Sequence, residues 1–262
     1  MDPDAESFER PAAAYDRFVG RYGPALAREL VDFAHPAGRA LDVGCGPGAL
    51  TAELAARLGP GDVAAIDRSE TFAGACRERL PGVDVHVASA EDLPFADDHF
   101  DAVLSQLVVN FLPDAAAGLA EMRRVARPGA VIAACVWDYA GEMTMLRAFW
   151  DAVHDTDPAA AAKLDEGARM PYSRPEPLAR LWRSAGLGDV ATQALVVHAR
   201  YDGFADFWEP FTAGIGPAGA YCASLDAPAR ARLRDACHAR LGEPDGPFEL
   251  SARAWAVRGT AP

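Results

Sequence analysis

The sequence predicts an α/β protein built on a doubly wound sheet of parallel strands. Between residues 39 and 136, short apolar runs alternate with helical patterns. Such an alternation builds a parallel sheet with right-handed crossovers and helices on both faces. The first apolar run leads into a turn that holds Gly44, Gly46 and Gly48, and a helical pattern follows. Glycine tolerates positive φ and has no Cβ, so a ligand can lie against the backbone of such a turn.

Five strands and five helices are predicted in the first half of the chain. The strands are expected at 39–43, 63–67, 83–88, 100–105 and 130–136, and the helices at 12–22, 24–34, 48–58, 70–80 and 114–126. Ser69 and Asp114 are predicted N-caps, because their side-chain oxygens can accept hydrogen bonds from the free amides of a helix N-terminus. Residues 127–129, Arg-Pro-Gly, are predicted to form a turn before the fifth strand.

Two insertions interrupt the alternation in the second half. Helices are expected at 143–154, 158–168, 175–185 and 228–241, and strands at 188–198 and 251–258. We interpret the chain as one domain with an N-terminal helical lid (11–35), a core (38–137) and cap insertions at about 138–173 and 199–249. Aromatic residues at 204, 207, 208 and 211 have near-helical spacing. Two interpretations of them stay open: core packing of a short helix, or a wall for an apolar substrate.

Composition narrows the classes of function. The net charge is −13, which disfavours a nucleic-acid partner because binding a phosphate backbone requires a cationic surface. No apolar run reaches the roughly 20 residues of a membrane span, and the acidic start does not resemble a secretory signal, so a cytoplasmic protein is expected. The five cysteines include no C-x-x-C pair, so neither a disulfide framework nor a metal site is predicted.

Polar residues follow the first four predicted strands. Ligands of open α/β sheets bind at the carboxyl ends of the strands, so these residues are expected to be neighbours. Asp67 ends the second strand, where a carboxylate can accept hydrogen bonds from both hydroxyls of a ribose. Residues 89–92 follow the third strand and could meet an adenine edge, and Gln106 follows the fourth. The pattern indicates an adenosine-containing ligand.

The glycine turn leaves two adenosine cofactors open. Gly44, Gly46 and Ala49 satisfy the relaxed dinucleotide pattern G-x-G-x-x-A, which would indicate an NAD-type oxidoreductase. Asp42 places a negative charge before the turn, and Pro47 removes a backbone donor that a phosphate cradle needs. A positively charged adenosine ligand without phosphates fits these two residues better.

Five stretches in order resemble the class I S-adenosylmethionine-dependent methyltransferases. They are Leu41–Gly48, Ala65–Asp67, Ala88–Phe95, Phe100–Val103 and Val125–Gly129. The resemblance is to small-molecule enzymes similar to the ubiquinone/menaquinone C-methyltransferases. It implies a Rossmann-like sheet of about seven strands with an antiparallel strand at the C-terminus. It also implies transfer of a methyl group from S-adenosyl-L-methionine to a small organic acceptor, at O, N or C, with S-adenosyl-L-homocysteine as product.

The resemblance implies a set of cofactor-binding residues. They are Asp42, Gly44, Gly46, Gly48, Asp67, Arg68, Ser89, Ala90, Glu91, Gln106, Tyr15 and Arg21. The glycines are expected to pass beneath the methionine part, Asp67 to hold the ribose hydroxyls, and residues 89–91 to border the adenine. Gln106 is expected to touch the methionine end. Tyr15 and Arg21 resemble a lid found in some relatives, in which Arg21 either pairs with the cofactor carboxylate or lies solvated at a helix end.

No catalytic residue is assigned from the sequence. Orientation of the reactants accounts for much of the rate of a methyl displacement, and a base is needed only if the acceptor must lose a proton. His154, His198, Tyr172 and Glu209 lie in the insertions and are candidate bases. A protein that binds S-adenosylmethionine without turnover is the alternative from another class. The oligomeric state is left open, with a homodimer as one possibility.

Overall fold

A computed structural model describes residues 12–262, so residue 11 of the predicted lid lies outside the described residues. The strands are β1 (Ala40–Val43), β2 (Val63–Asp67), β3 (Asp84–Val87), β4 (Phe100–Gln106), β5 (Ala126–Trp137), β6 (Gly188–Tyr201) and β7 (Phe248–Thr260). They form one sheet in the order β3-β2-β1-β4-β5-β7-β6. Strands β1 to β5 pair in parallel, and the C-terminal strands are antiparallel. The predicted fold class is confirmed.

The described helices are numbered in chain order. They are α1 (Ala12–Arg17), α2 (Gly23–Ala34), α3 (Ala49–Leu58), α4 (Glu70–Arg79), α5 (Ala115–Val125), α6 (Thr144–Thr156), α7 (Pro158–Leu164), α8 (Glu166–Arg169), α9 (Pro175–Ser184), α10 (Phe204–Trp208), α11 (Gly216–Ser224) and α12 (Ala227–Arg240). Short 3-10 turns lie at Val19–Tyr22, Pro60–Asp62, Val109–Phe111 and Glu209–Ala213. Both predicted N-caps are formed, with Ser69 accepting from Phe72 N and Asp114 from two amides of α5.

The chain divides into two compact units. We call residues 23–136, 171–195 and 254–262 the sheet unit, and residues 12–22, 137–170 and 196–253 the helical unit. In the sheet unit, all four residues of β1 and all five of β2 are buried, as expected for parallel strands covered on both faces. Leu41, Val43, Ala64 and Ile66 of these strands belong to a core cluster that also holds residues of α5 and α9. In α9, Trp182 is fully buried and donates to Ile132 O of β5 at 2.9 Å.

The helical unit has an aromatic core. Phe149 stacks on Phe211 with ring centroids 4.4 Å apart, and Phe18 meets Phe211 edge to face at 4.9 Å. The aromatic residues predicted at helical spacing, at 204, 207, 208 and 211, are all buried, and Phe207 also contacts Phe211. Packing inside this unit accounts for their spacing.

The structure differs from the predicted elements in three places. The predicted turn at 127–129 belongs to β5, whose register against β4 shifts from Phe100–Ala126 to Ala102–Val131. The strand absorbs the Pro-Gly pair as an irregularity, with Gly129 at φ +84°. The predicted helix 158–168 is two helices, because the Asp165 side chain accepts from Gly167 N and starts α8. Helix α11 was missed, since glycine and proline open it.

Among residues 12–262, the structure has no helix of the length and apolar character that a membrane crossing requires.

We expect Asp114→Ala to lower the free energy of unfolding by about 1 kcal/mol, because Asp114 Oδ1 accepts from Ala116 N and Ala117 N, both at 3.0 Å. Urea unfolding followed by circular dichroism measures the change. Asp245→Ala removes the same charge from an exposed loop position and should change the value by less than about 0.5 kcal/mol. Equal effects of the two substitutions would contradict the assigned cap.

Candidate functional site

The glycine turn connects β1 to α3 at the carboxyl edge of the sheet. Gly44, Gly46 and Gly48 all have positive φ, at +77°, +52° and +98°. The amides of Gly44 and Cys45 donate to Ile66 O, each at 2.8 Å, which fastens the turn to the end of β2. The turn is therefore a fixed part of the sheet edge.

The three positions of the turn differ in whether a side chain would fit there. A Cβ on Gly44 would lie 2.4 Å from Val108 Cγ2, and one on Gly48 would lie 3.0 Å from Cys76 Sγ. A Cβ on Gly46 would meet no atom within 4 Å. Gly44 and Gly48 are thus required by packing inside the protein, whereas Gly46 borders open space into which a ligand can fit.

Asp67 joins the glycine turn to the next helix. Its Oδ2 accepts from Gly46 N at 2.8 Å, and its Oδ1 accepts from Ser69 N at 2.9 Å. Burial raises the pKa of this carboxyl, while the two amide hydrogen bonds oppose the rise. Each carboxylate oxygen keeps a free lone pair, so both can accept from a diol without giving up their amide partners. Arg68 beside it is exposed.

Asp42 lies deeper than the sequence indicated. It is fully buried in β1, and its Oδ2 accepts from Thr51 Oγ1 at 2.6 Å, while its Oδ1 has no hydrogen-bond partner in the described structure. Burial raises the pKa of Asp42 to about 8, so its carboxyl is largely protonated at neutral pH. The negative charge that the sequence placed before the turn is therefore mostly absent in the unliganded protein.

The segment after β3 supplies the third part of the site. Ser89 is exposed, and its Oγ accepts from Glu91 N at 3.2 Å. Ala90 is buried in the main core. The Glu91 carboxylate accepts from Asp114 N at 2.7 Å, which ties this segment to the start of α5. Glu91 thus has a structural contact that the sequence did not predict.

Two amide side chains, one at the end of β4 and one in the 3-10 turn that follows, each have one atom without a hydrogen-bond partner. Gln106 donates to Gly23 O at 3.2 Å, but its buried Oε1 has no hydrogen-bond partner. Asn110 accepts from Tyr172 N at 3.0 Å, and its buried Nδ2 has none. Leu107 between them has φ +67°, a strained value for a bulky residue and common at functional sites. Asn110 was not predicted, because nothing in its sequence context marks it.

Tyr15 and Arg21 belong to the helical unit and contact other residues of that unit. The guanidinium of Arg21 donates to both carboxylate oxygens of Asp206, at 3.0 and 3.1 Å, and lies 4.1 Å from the centre of the Tyr201 ring. Tyr15 lies against Gly20, where an added Cβ would be 2.8 Å from Tyr15 O. The predicted cofactor contact of Arg21 would compete with Asp206.

The candidate bases have dissimilar surroundings. His154 and His198 are exposed, and Glu209 forms an exposed ion pair with Arg17 at 3.1 Å. Tyr172 is half-buried in the sheet unit. Within residues 12–262, the structure holds no cluster of three or more His, Cys, Asp or Glu able to bind a metal ion.

Comparisons with known proteins show which family the chain resembles. A family model described as a methyltransferase domain matches residues 41–134, the range from β1 to β5 that holds the glycine turn, Asp67, residues 89–91 and Gln106. A demethylmenaquinone methyltransferase of Roseiflexus sp. (strain RS-1) is 35% identical over 208 residues, which cover 70% of this chain and 84% of the relative. Nocamycin O-methyltransferase of Saccharothrix syringae is 30% identical over 234 residues, covering 77% and 82%.

A solved structure shows the same fold across the whole length. It is an S-adenosylmethionine-dependent methyltransferase from Thermotoga maritima, described as a possible histamine N-methyltransferase, with a TM-score of 0.60 and 19% identity over 98% of this chain and 99% of that chain. The fold is thus that of the Rossmann-like methyltransferases. The chain belongs to the S-adenosylmethionine-dependent methyltransferases, and its cofactor is S-adenosyl-L-methionine.

We expect Gly44→Ala to destabilise the protein by about 2–4 kcal/mol, because the left-handed backbone costs about 1–2 kcal/mol and the new Cβ is forced against Val108. Gly46→Ala is the matched control, since its Cβ meets no atom within 4 Å, and only the backbone cost remains. Thermal and urea unfolding compare the two. A Gly46→Ala protein less stable than Gly44→Ala would show that the turn is packed differently.

The buried Asp42 should make stability depend on pH. Its pKa rises from 3.8 to about 8 on folding, so the folded protein holds an extra proton between these values and loses stability as pH rises through this range. Asp42→Asn keeps an oxygen for Thr51 and removes the titration. The stability of the variant relative to the unmodified protein should therefore increase from pH 5 to pH 8, by up to about 1.4 kcal/mol per pH unit.

Urea unfolding without cofactor at four pH values in that range measures the difference. Asp67, whose pKa is also raised by burial, is present in both proteins and so contributes to both curves. Parallel curves for the two proteins would exclude a proton held by Asp42.

Proposed function

We propose that this methyltransferase acts on a small organic acceptor and binds its cofactor in the sheet unit through Asp67 and the glycine turn. The contact between Asp67 and Gly46 carries the site proposal. It places a carboxylate with free lone pairs beside the one turn glycine that borders open space. The relatives support a small acceptor, since one is named for demethylmenaquinone and another for nocamycin.

The residues of the sheet unit fit the three parts of the cofactor. Asp67 would accept hydrogen bonds from the ribose hydroxyls, and residues 89–91 would border the adenine. Gln106 Oε1 is a buried acceptor without a partner, which suits the ammonium group of the methionine part. Asn110 Nδ2 is a buried donor on the same segment and suits an oxygen, of either the cofactor carboxylate or the acceptor. Arg68 and the lid residues Tyr15 and Arg21 remain proposed contacts.

When bound, S-adenosylmethionine supplies a methyl group on a positively charged sulfur, with a neutral thioether as leaving group. The protein's own contribution is to orient the acceptor and exclude water, which can account for about 7–11 kcal/mol of the barrier. Because buried Asp42 is largely neutral, the folded protein holds no unpaired buried charge at this position before a cation binds. Asp42 ionises more readily near a positive charge, so it is a proposed electrostatic partner of the sulfonium.

Acceptor-binding residues are proposed to come from the cap insertions. The negative net charge continues to disfavour a nucleic-acid acceptor, and we keep the cytoplasm as the proposed location. No general base is assigned. Formation of S-adenosylhomocysteine in the presence of a candidate acceptor measures its methylation.

We expect Asp67→Asn to weaken S-adenosylhomocysteine binding at least tenfold, because one carboxylate oxygen and the charge are lost while the side-chain volume stays the same. Isothermal titration calorimetry gives the dissociation constants. Asp62→Asn makes the same exchange at an exposed residue just before β2 and should leave affinity unchanged. If the protein binds neither S-adenosylmethionine nor S-adenosylhomocysteine, or if Asp67→Asn binds normally, the proposed site fails.

A further inference from the structure

One side of helix α5 faces residues 89–97, the segment that leads from β3 toward β4. Asp114 caps the helix, and Gly118, Glu121 and Arg124 follow at steps of four, three and three residues. Residues at this spacing lie along one side of a helix. Each of the four meets the 89–97 segment, which begins with the residues proposed to border the adenine.

Two of these contacts hold the first part of the segment. Asp114 N donates to the Glu91 carboxylate at 2.7 Å. A Cβ on Gly118 would already be in van der Waals contact with Ala90, 3.9 Å from its Cβ, so the backbone of α5 passes close to Ala90. Because Ala90 has no polar side-chain group, its polar contacts with a base can involve only its backbone. Recognition of the base at this residue therefore depends on where the backbone lies.

An ion pair on α5 holds the second part of the segment. The guanidinium of Arg124 donates to both carboxylate oxygens of Glu121, at 2.7 and 2.8 Å. Glu121 Oε2 also accepts from Leu93 N at 2.9 Å. Arg124 donates to Leu93 O at 3.0 Å, to Phe95 O at 2.9 Å and to Asp97 Oδ1 at 2.7 Å. The pair thus binds backbone groups, including both the amide and the carbonyl of Leu93.

The ion pair is suited to holding a backbone in one position. The Arg124 and Glu121 side chains are 32% and 20% exposed, so they are partly shielded from water. Hydrogen bonding to Arg124 lowers the pKa of Glu121, so its carboxyl stays charged at neutral pH. Charge-assisted hydrogen bonds are about twice as strong as neutral ones, and the guanidinium presents its donors in a fixed plane.

We propose that Glu121 and Arg124 are positioning residues that give this methyltransferase its preference for adenine, by holding the 89–97 segment against the base. The inference rests on the proposed function, because it concerns the adenine end of the same cofactor site. A guanidinium has five N–H donors, and the contacts of Arg124 use all five. Arg124 therefore acts on the cofactor only through the segment that it holds.

Two ligands that differ only in the base test the proposal. S-adenosylhomocysteine has a 6-amino group and an unprotonated N1, whereas S-inosylhomocysteine has a 6-oxo group and a protonated N1. Isothermal titration calorimetry gives the ratio of their two dissociation constants, which we call the base preference. The unmodified protein should prefer S-adenosylhomocysteine. Arg124→Met should reduce the base preference by about tenfold, the equivalent of one hydrogen bond to the base.

Two other substitutions give the matched comparison. Arg123→Met makes the same exchange one residue earlier on α5, where the guanidinium donates to Ala185 O instead of the 89–97 segment. It should leave the base preference unchanged. Asp67→Asn acts at the proposed ribose contact, so it should weaken both ligands equally and also leave the base preference unchanged.

Hydrogen exchange followed by mass spectrometry separates a displaced segment from a loss of folding. Arg124→Met should speed exchange within residues 89–97 and leave the exchange of β1 and β2 unchanged. Glu121→Gln is the milder variant and serves if Arg124→Met does not fold, because it keeps one oxygen for Leu93 N and removes the charge that Arg124 binds. Its base preference should fall in the same direction.

The proposal is overturned if the unmodified protein has no base preference, or if Arg124→Met and Glu121→Gln keep the preference of the unmodified protein. A loss of affinity that is equal for both ligands has the same meaning, since it indicates a purely structural role. If Asp67→Asn still weakens S-adenosylhomocysteine binding, these results defeat this proposal alone. Absence of S-adenosylhomocysteine binding in the unmodified protein defeats the proposed function.

Discussion

The glycine turn and the proposed cofactor site depend on the two hydrogen bonds that the Asp67 carboxylate accepts from Gly46 N and Ser69 N. They connect the turn after β1, the end of β2 and the start of α4 in one rigid arrangement. A charged acceptor with two amide donors holds its position more firmly than a neutral one, since charge-assisted hydrogen bonds are about twice as strong. The carboxylate that is proposed to hold the ribose therefore also shapes the loop that is proposed to lie under the methionine.

Buried polar groups divide into two classes in this protein. The indoles of Trp150 and Trp182 have partners that fasten one element to another, and their role is structural. Gln106 Oε1, Asn110 Nδ2 and the Trp137 indole lack partners although they are buried. An unpaired buried group costs about 1–3 kcal/mol of stability. A ligand that supplies the missing hydrogen-bond partner offsets this cost. Gln106 Oε1 and Asn110 Nδ2 lie at and just after the carboxyl end of β4, and for that reason these two are proposed to meet a ligand.

Asp42 illustrates a different use of burial. Its carboxyl is surrounded by β1 and α3, and burial stabilises the protonated form. A fixed negative charge at this depth would destabilise the unliganded protein, while a carboxyl with a pKa near neutrality can ionise when a cation arrives. Asp42 is proposed to combine stability of the unliganded protein with affinity for a positively charged ligand.

The sequence by itself determined the sheet, the order of its elements and the class of cofactor. Apolar runs, glycines at a strand end and short-range caps such as Ser69 and Asp114 are local signals, because each depends on neighbours within a few residues. The same locality explains the errors: the Pro-Gly pair at 128–129 is typical of a turn, whereas Gly129 N donates to Ala261 O, far along the chain, and the strand continues through the pair. The cofactor-binding residues of the sequence prediction stay predictions, although the structure brings Gly46 and Asp67 into contact.

Only the tertiary structure decided which polar groups are left without partners. Asp42 reads as a charge in the sequence and is buried with a raised pKa, because helix α3 covers it. Asn110 and Trp137 carry no sequence signal, since their unsatisfied atoms depend on segments 60 or more residues away in the chain, such as Tyr172 and Tyr22. Whether a buried polar group has a hydrogen-bond partner depends on the folded surroundings, so only the structure identifies the unpaired groups.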